Sequence, residues 1–202
     1  MGWKISMVII NTEQDFDKKK LFDALGYSNL KKSDTECFDS IMNPNDDKIY
    51  IGKYNGNTII SMQELPMQSM DDQVSKEEAV LSKEFPGVDI ATFVLHSVVN
   101  LWGYSITKDS KKIRARAGSS DGTVIEYGAV LDEEKELFAQ AKVNDEGERV
   151  FVFGDMAEEE FMDDQVGENF VFDLSQRYLG EKLDGCDGLF ETEFEGYTFI
   201  KK

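Results

Sequence analysis

DIATFVLHSVVNLWGYSITKDSKKIRARAGSSDGTVIEYG, residues 89–128, carries the strongest structural signal in the chain. Ile90 to His96 is almost wholly apolar, as in a central strand covered on both faces. Trp102, Tyr104 and Ile106 then alternate with Gly103, Ser105 and Thr107, and Ile113, Ala115 and Ala117 alternate with Lys112, Arg114 and Arg116. Side chains repeating with period two belong to a strand with unlike faces. Lys108-Asp109-Ser110-Lys111 and Ser119-Ser120-Asp121-Gly122 are turn sequences, and 123–127 reads as a further strand. The economical interpretation is an antiparallel meander with Phe93, Leu95, Trp102, Tyr104 and Ile106 buried.

Working outward, residues 4–10 alternate at first and then become apolar on both faces at Val8 and Ile10, as in a strand entering a core. Thr12 and Asp15 offer an N-cap and an acidic first turn, and Leu21, Phe22 and Leu25 give helical spacing before Gly26, so 15–25 reads as a short helix. Residues 27–47 carry polar turn residues and Pro44 and read as loop with one short strand near 36–42. Asn55-Gly56 between two strand-like runs predicts a hairpin, since both residues tolerate positive φ. Ser75 with Glu78 forms a capping-box sequence and Pro86-Gly87 ends that helix. In the last third, 132–141 reads as helical, 150–153 as a short strand, the acid-rich run 155–164 as a charged helix, 167–179 as an amphipathic helix and 194–200 as a final strand. The fold class is therefore α+β: a single domain over 1–202, with a mainly antiparallel (mixed) sheet around the meander and three to five flanking helices.

The start at 1–4, the run His96-Ser97-Val98-Val99-Asn100-Leu101-Trp102-Gly103, the segment from Arg114 to Gly122 with Ser119 and Asp121, and the pair Gly167-Glu168 together resemble a family of uncharacterised bacterial proteins, a domain of unknown function. The resemblance implies a bacterial source and a shared fold. It transfers no catalytic residue.

Composition narrows the function classes. Leu, Ile, Val and Phe number 13, 13, 14 and 14 among 202 residues, above the roughly 20% below which highly charged chains stay disordered. Twenty-two Lys and Arg against 40 Asp and Glu leave a net charge of −18. Such a field repels phosphate backbones, which argues against nucleic acid and anionic membrane as partners. No apolar run approaches the roughly 18 residues of a membrane span, no signal-peptide pattern opens the chain, and the two distant cysteines, Cys37 and Cys186, fit a reducing compartment. A cytoplasmic protein is expected.

The single histidine, His96, closes the apolar strand and is the one candidate general base, with an ordinary pKa of about 6.5. Ser97, adjacent on a strand, points to the opposite face, and no G-x-S-x-G elbow exists. The simpler reading is a strand-end histidine bonded to backbone or carboxylate. One histidine and two remote cysteines leave no zinc-type ligand set, and the acidic clusters lack the calcium-loop pattern, so no metal and no cofactor are expected. Lys112, Arg114 and Arg116 are expected on one face of a strand, with Asp121 in the turn beyond. That row could bind an anion, or could pair with the chain's own acids. Met62, Met67 and Met70 read as packing residues.

Two functions compete. The leading one is a non-catalytic binding protein whose acidic helical surface, over 155–164, meets a basic protein partner, with an inhibitor or immunity protein against a cationic toxin as one concrete form. The other is a receptor or enzyme for an anionic small molecule, using His96 with Arg114, Arg116 and Asp121. A filled meander with salt-bridged arginines favours the first; a cleft where His96 converges with Arg114 or Arg116 favours the second.

Overall fold

A strand that is apolar on both faces needs cover on both sides, and the computed structural model, which describes residues 2–154 and 159–201, supplies it. Its main sheet has nine strands in the order β2-β12-β3-β4-β1-β5-β6-β7-β8. They are β1 (Lys4–Ile10), β2 (Tyr27–Cys37), β3 (Lys48–Tyr54), β4 (Asn57–Ser61), β5 (Asp89–His96), β6 (Leu101–Lys108), β7 (Lys111–Ser119), β8 (Gly122–Gly128) and β12 (Glu193–Lys201). Every pairing in it is antiparallel. The meander β5-β6-β7-β8 forms one half, and Phe93, Leu95, Trp102, Tyr104 and Ile106 are all buried.

Side-chain alternation along β1 divides the core. Ile5, Met7 and Ile9 face the first layer, where they join Phe93, Trp102 and Tyr104 under Phe170, Val171 and Leu174 of α6 (Asp163–Leu179). Val8 and Ile10 face the second, where Ile49, Ile51 and Ile60 meet Leu21 and Phe22 of α1 (Lys18–Ala24), Leu65 of α3 (Glu64–Gln68) and Leu81 of α4 (Lys76–Glu84). The first layer also holds α2 (Phe38–Ile41), α5 (Lys135–Phe138), α7 (Asp187–Phe190) and a small antiparallel sheet in the order β11-β10-β9, from β9 (Ala141–Val143), β10 (Arg149–Phe151) and β11 (Phe161–Met162). Seven α-helices are present among the described residues, more than the three to five expected, because four of them are only four or five residues long. None is long and apolar enough to cross a membrane.

Turn chemistry follows the sequence. Asn55 and Gly56 take φ of 46° and 79° between β3 and β4, and Asp109 and Ser110 take 48° and 57° between β6 and β7. The capping box at Ser75 and Glu78 is formed in both directions. Three segments depart from expectation. Residues 27–37 form an eleven-residue strand where loop was expected, because β2 is a sheet edge and its polar side chains need no burial. Helix α1 is capped by Asp17, whose carboxylate accepts from Lys20 N at 3.0 Å, so it starts later than Thr12 suggested. Residues 155–158 of the expected acidic helix lie outside the described residues. Its remainder is not helical until Asp163: 161–162 pair as β11, and Asp163 opens α6.

Candidate functional site

The basic row on β7 is not one row. In the β6–β7 register Thr107 faces Lys112 and Ile106 faces Arg114, so Ile113 is an extra residue, a β-bulge. A one-residue insertion sends everything before it to the other face. Lys112 therefore lies in the second layer, and Arg114 and Arg116 in the first.

Lys112 Nζ is sequestered there. It donates to both carboxylate oxygens of Glu78 at 2.7 and 2.8 Å, to Ser105 Oγ at 2.8 Å and to Ser69 O at 2.9 Å. Glu78 also accepts from Thr107 Oγ1 at 2.7 Å and from Ser75 N at 2.8 Å, so one carboxylate caps α4 and neutralises the lysine together. Burial pushes the Lys112 ammonium below its ordinary pKa even against these partners.

Arg114 and Arg116 are fully buried. Arg114 Nε and Nη2 grip Glu134 at 3.0 and 2.6 Å, and Nη1 donates to Gly128 O at 3.0 Å. Burial disfavours the Arg114 cation, but the Glu134 bonds outweigh it and raise the guanidinium pKa. The Tyr104 hydroxyl also donates to Glu134, and burial together with that carboxylate drives its pKa up. Arg116 pairs with Asp163 and lies over Trp102, Phe138 and Phe170, with 4.8, 5.0 and 4.2 Å to the ring centroids. Its Nε is 3.5 Å from Glu126, which also meets Arg149 at 2.5 Å. Burial raises the Glu126 carboxyl, yet the Arg149 hydrogen bond and the charges of Arg116, Arg149 and Arg114 hold it below the usual carboxylate range. These three arginines and Glu126, Glu134 and Asp163 balance to zero. Of the partners, Glu134 comes from a 3-10 turn, and Arg149, on a three-residue strand, offered no sequence signal.

His96 lies at the end of β5 opposite Lys4 and Leu101, half-buried, with Nδ1 buried and without a hydrogen bond. As an even-numbered β5 residue it shares the sheet face of Thr92 and Val94, whereas Arg114 and Arg116 pack in the opposite layer. Asp121 is exposed in the β7–β8 turn. It lines a cleft of about 680 Å³ between β8, the start of β10 and the β11–α6 junction, with Glu126, Glu148, Arg149, Asp163 and Asp164. Neither Arg114, Arg116 nor His96 is among the lining residues. Among the described residues Asp121, Glu148 and Asp164 form no ion pair. No group of three or more His, Cys, Asp or Glu is placed to hold a metal among the described residues.

The motif residues at the other end of the meander also converge. Ser97 Oγ accepts from Trp3 N at 2.8 Å and donates to Glu168 Oε1 at 2.7 Å. Gly167 packs on Trp102 so closely that a Cβ there would overlap Cδ2, Cε2 and Nε1.

An antiparallel sheet sandwiched between two helical layers, with its strand arginines neutralised inside and an acid-lined cleft outside, defines an α+β protein. The chain belongs to DUF6928, a family of unknown function, whose model matches residues 19–176. Neither a curated protein nor a solved structure matches it.

Proposed function

We propose that this is a non-catalytic binding protein of the bacterial cytoplasm that takes a basic, extended segment of a protein partner into the cleft beside β8. The cleft itself carries the reading: Asp121, Glu148 and Asp164 line it with no ion pair among the described residues, while the lining arginine, Arg149, is already held by Glu126 and Asp163. β8 is an edge of the sheet with Val124 exposed, so backbone groups and acids are presented side by side. Strand addition supplies main-chain hydrogen bonds, and complementary charge raises the encounter rate and selects the partner. An inhibitor or immunity protein against a cationic toxin is one concrete form. The same field disfavours nucleic acid and anionic membrane. A cytoplasmic setting is supported by Cys37 and Cys186, both free thiols.

The probe is a decapeptide of alternating lysine and serine, titrated by NMR at low and high salt. Resonances of 120–127 should shift at low salt, and the shift should vanish as the Debye length falls from about 10 Å at 0.1 M to about 3 Å at 1 M. The pair Asp121→Asn/Glu148→Gln should weaken binding, while the charge-matched pair Glu13→Gln/Asp39→Asn, exposed and outside the cleft, should not. Equal weakening by both pairs, or no shift along β8, would overturn the proposal.

A further inference from the structure

Strand β8 presents different chemistry on its two faces. Glu126 lies opposite Arg116 of β7, so it shares the first-layer face, and it lines the acidic cleft. Ile125 and Tyr127 lie opposite Ala117 and Ala115, which places them on the second-layer face. Neither is among the residues that line the cleft. The second-layer cover thins toward this edge. Met70, just beyond α3, reaches Gly103 of β6, where a Cβ would come within 2.7 Å of its Sδ. The helix packed on β8 itself is α6, which belongs to the first layer. Tyr127 is left 42% exposed, and Val124, the extra residue of a bulge opposite the Ala117–Gly118 step, 72%. The solvated face of an antiparallel sheet ordinarily carries polar side chains. Apolar ones on the open flank of an edge strand make it a template for another strand.

A strand laid beside β8 must answer both faces. Its side chains alternate sides, so every second residue would face Asp121, Glu148 and Asp164 in the cleft, and the residues between would face Ile125 and Tyr127. We infer that the segment this edge takes is an amphipathic β-strand, basic and apolar at alternate positions, rather than a uniformly basic tail. The inference rests on the reading of the cleft given above and adds the apolar half of the ligand's pattern. Charge selects a foreign strand over a second copy of this chain. Pairing two β8 edges would bring two acidic clefts together on molecules that each carry −18. Two apolar cross-strand contacts together are worth roughly tenfold in affinity.

Three decapeptides test this by NMR at low salt. One alternates lysine with serine, one alternates lysine with valine, and one has five lysines followed by five valines, which keeps the composition and loses the alternation. The alternating lysine–valine peptide should bind about tenfold more tightly than the lysine–serine peptide and shift the resonances of 125–127. The block peptide should show no such gain. Tyr127→Thr removes the ring and keeps a strand-forming residue, so it should remove most of the gain while leaving the lysine–serine affinity unchanged. Equal affinity of the two alternating peptides, an equal gain for the block peptide, or a gain undiminished in Tyr127→Thr would overturn this inference and leave the reading of the cleft standing. No shift with any of the three would overturn both. Concentration-dependent broadening of 122–127 without peptide would assign the edge to a second copy and overturn the inference as well.

Discussion

Gly167 lies in the interior of α6, where helix propensity alone says that Gly167→Ala should stabilise the protein by up to about 1 kcal/mol. The structure says the opposite. An alanine Cβ would overlap three atoms of the Trp102 indole at once. The ring is also crowded elsewhere: Arg116 lies 4.8 Å from its centroid, and Gly118 sits so close that a Cβ there would come within 2.8 Å of Cζ2. Overpacking a filled core costs typically about 1–3 kcal/mol, and this overlap with a crowded ring belongs at the upper end. Subtracting the propensity gain leaves a net loss of about 2 kcal/mol. For a chain of this size each kcal/mol moves the melting temperature by about 2–4 °C, so Gly167→Ala should melt about 4–8 °C below wild type in scanning calorimetry. Trp102→Ala removes the whole indole, so in a double-mutant cycle the Gly167→Ala substitution should cost less in its background. A Gly167→Ala variant as stable as wild type, or more so, would refute the steric argument.

Lys112→Met strands the buried Glu78 carboxylate and should cost about 3–5 kcal/mol in denaturant unfolding; Glu78→Gln in the same chain should recover most of that loss, since glutamine retains the capping role. Lowering the pH should destabilise the protein through Glu126 and Glu195. The Lys18, Lys32 and Tyr197 hydrogen bonds hold Glu195 at about 2, and Glu126 is also held below the ordinary 4.5. Folded carboxyls with depressed pKa values bind protons less readily than the unfolded chain, so their stabilisation is complete above about pH 4.5 and is lost as pH falls toward about 2. Glu195 is half exposed, which reduces its share through solvent screening. Melting temperature against pH should therefore fall less steeply in Glu126→Gln.

Much of the sheet was legible because burial writes itself into sequence. The apolar run of β5 and the alternation of β6 announced a strand covered on both faces, and Asn55-Gly56 announced its turn. β2 escaped because an edge strand is stabilised by backbone bonds to β12, and Ser33, Asp34 and Glu36 bear no mark of that pairing. The arginines were recognised as the charged feature of the meander, but their faces were not. A bulge at Ile113 leaves no compositional trace, and it reverses the side on which Lys112 lies. The partners of the arginines come from three further elements, so the neutral cluster is a property of tertiary packing alone. Asp121 was singled out beside Arg114 and Arg116 for an anion, whereas the structure sets it in a cleft that neither arginine lines, and Glu148 was not singled out at all.

The place of β12 in the sheet has a consequence for the newly made chain. Among the described residues β2 pairs with no strand but β12, whose residues 193–201 leave the ribosome more than 150 residues later. At about 5–20 residues per second the segment waits roughly ten to thirty seconds for β12. β3 waits as well, with Ile49, Tyr50 and Ile51 on an unpaired flank. Over that interval a hydrophobic β2 would be an invitation to pair with another chain. The polar side chains that hid the strand from sequence reading, Lys31, Lys32, Asp34 and Glu36 among them, are those that let it wait in water.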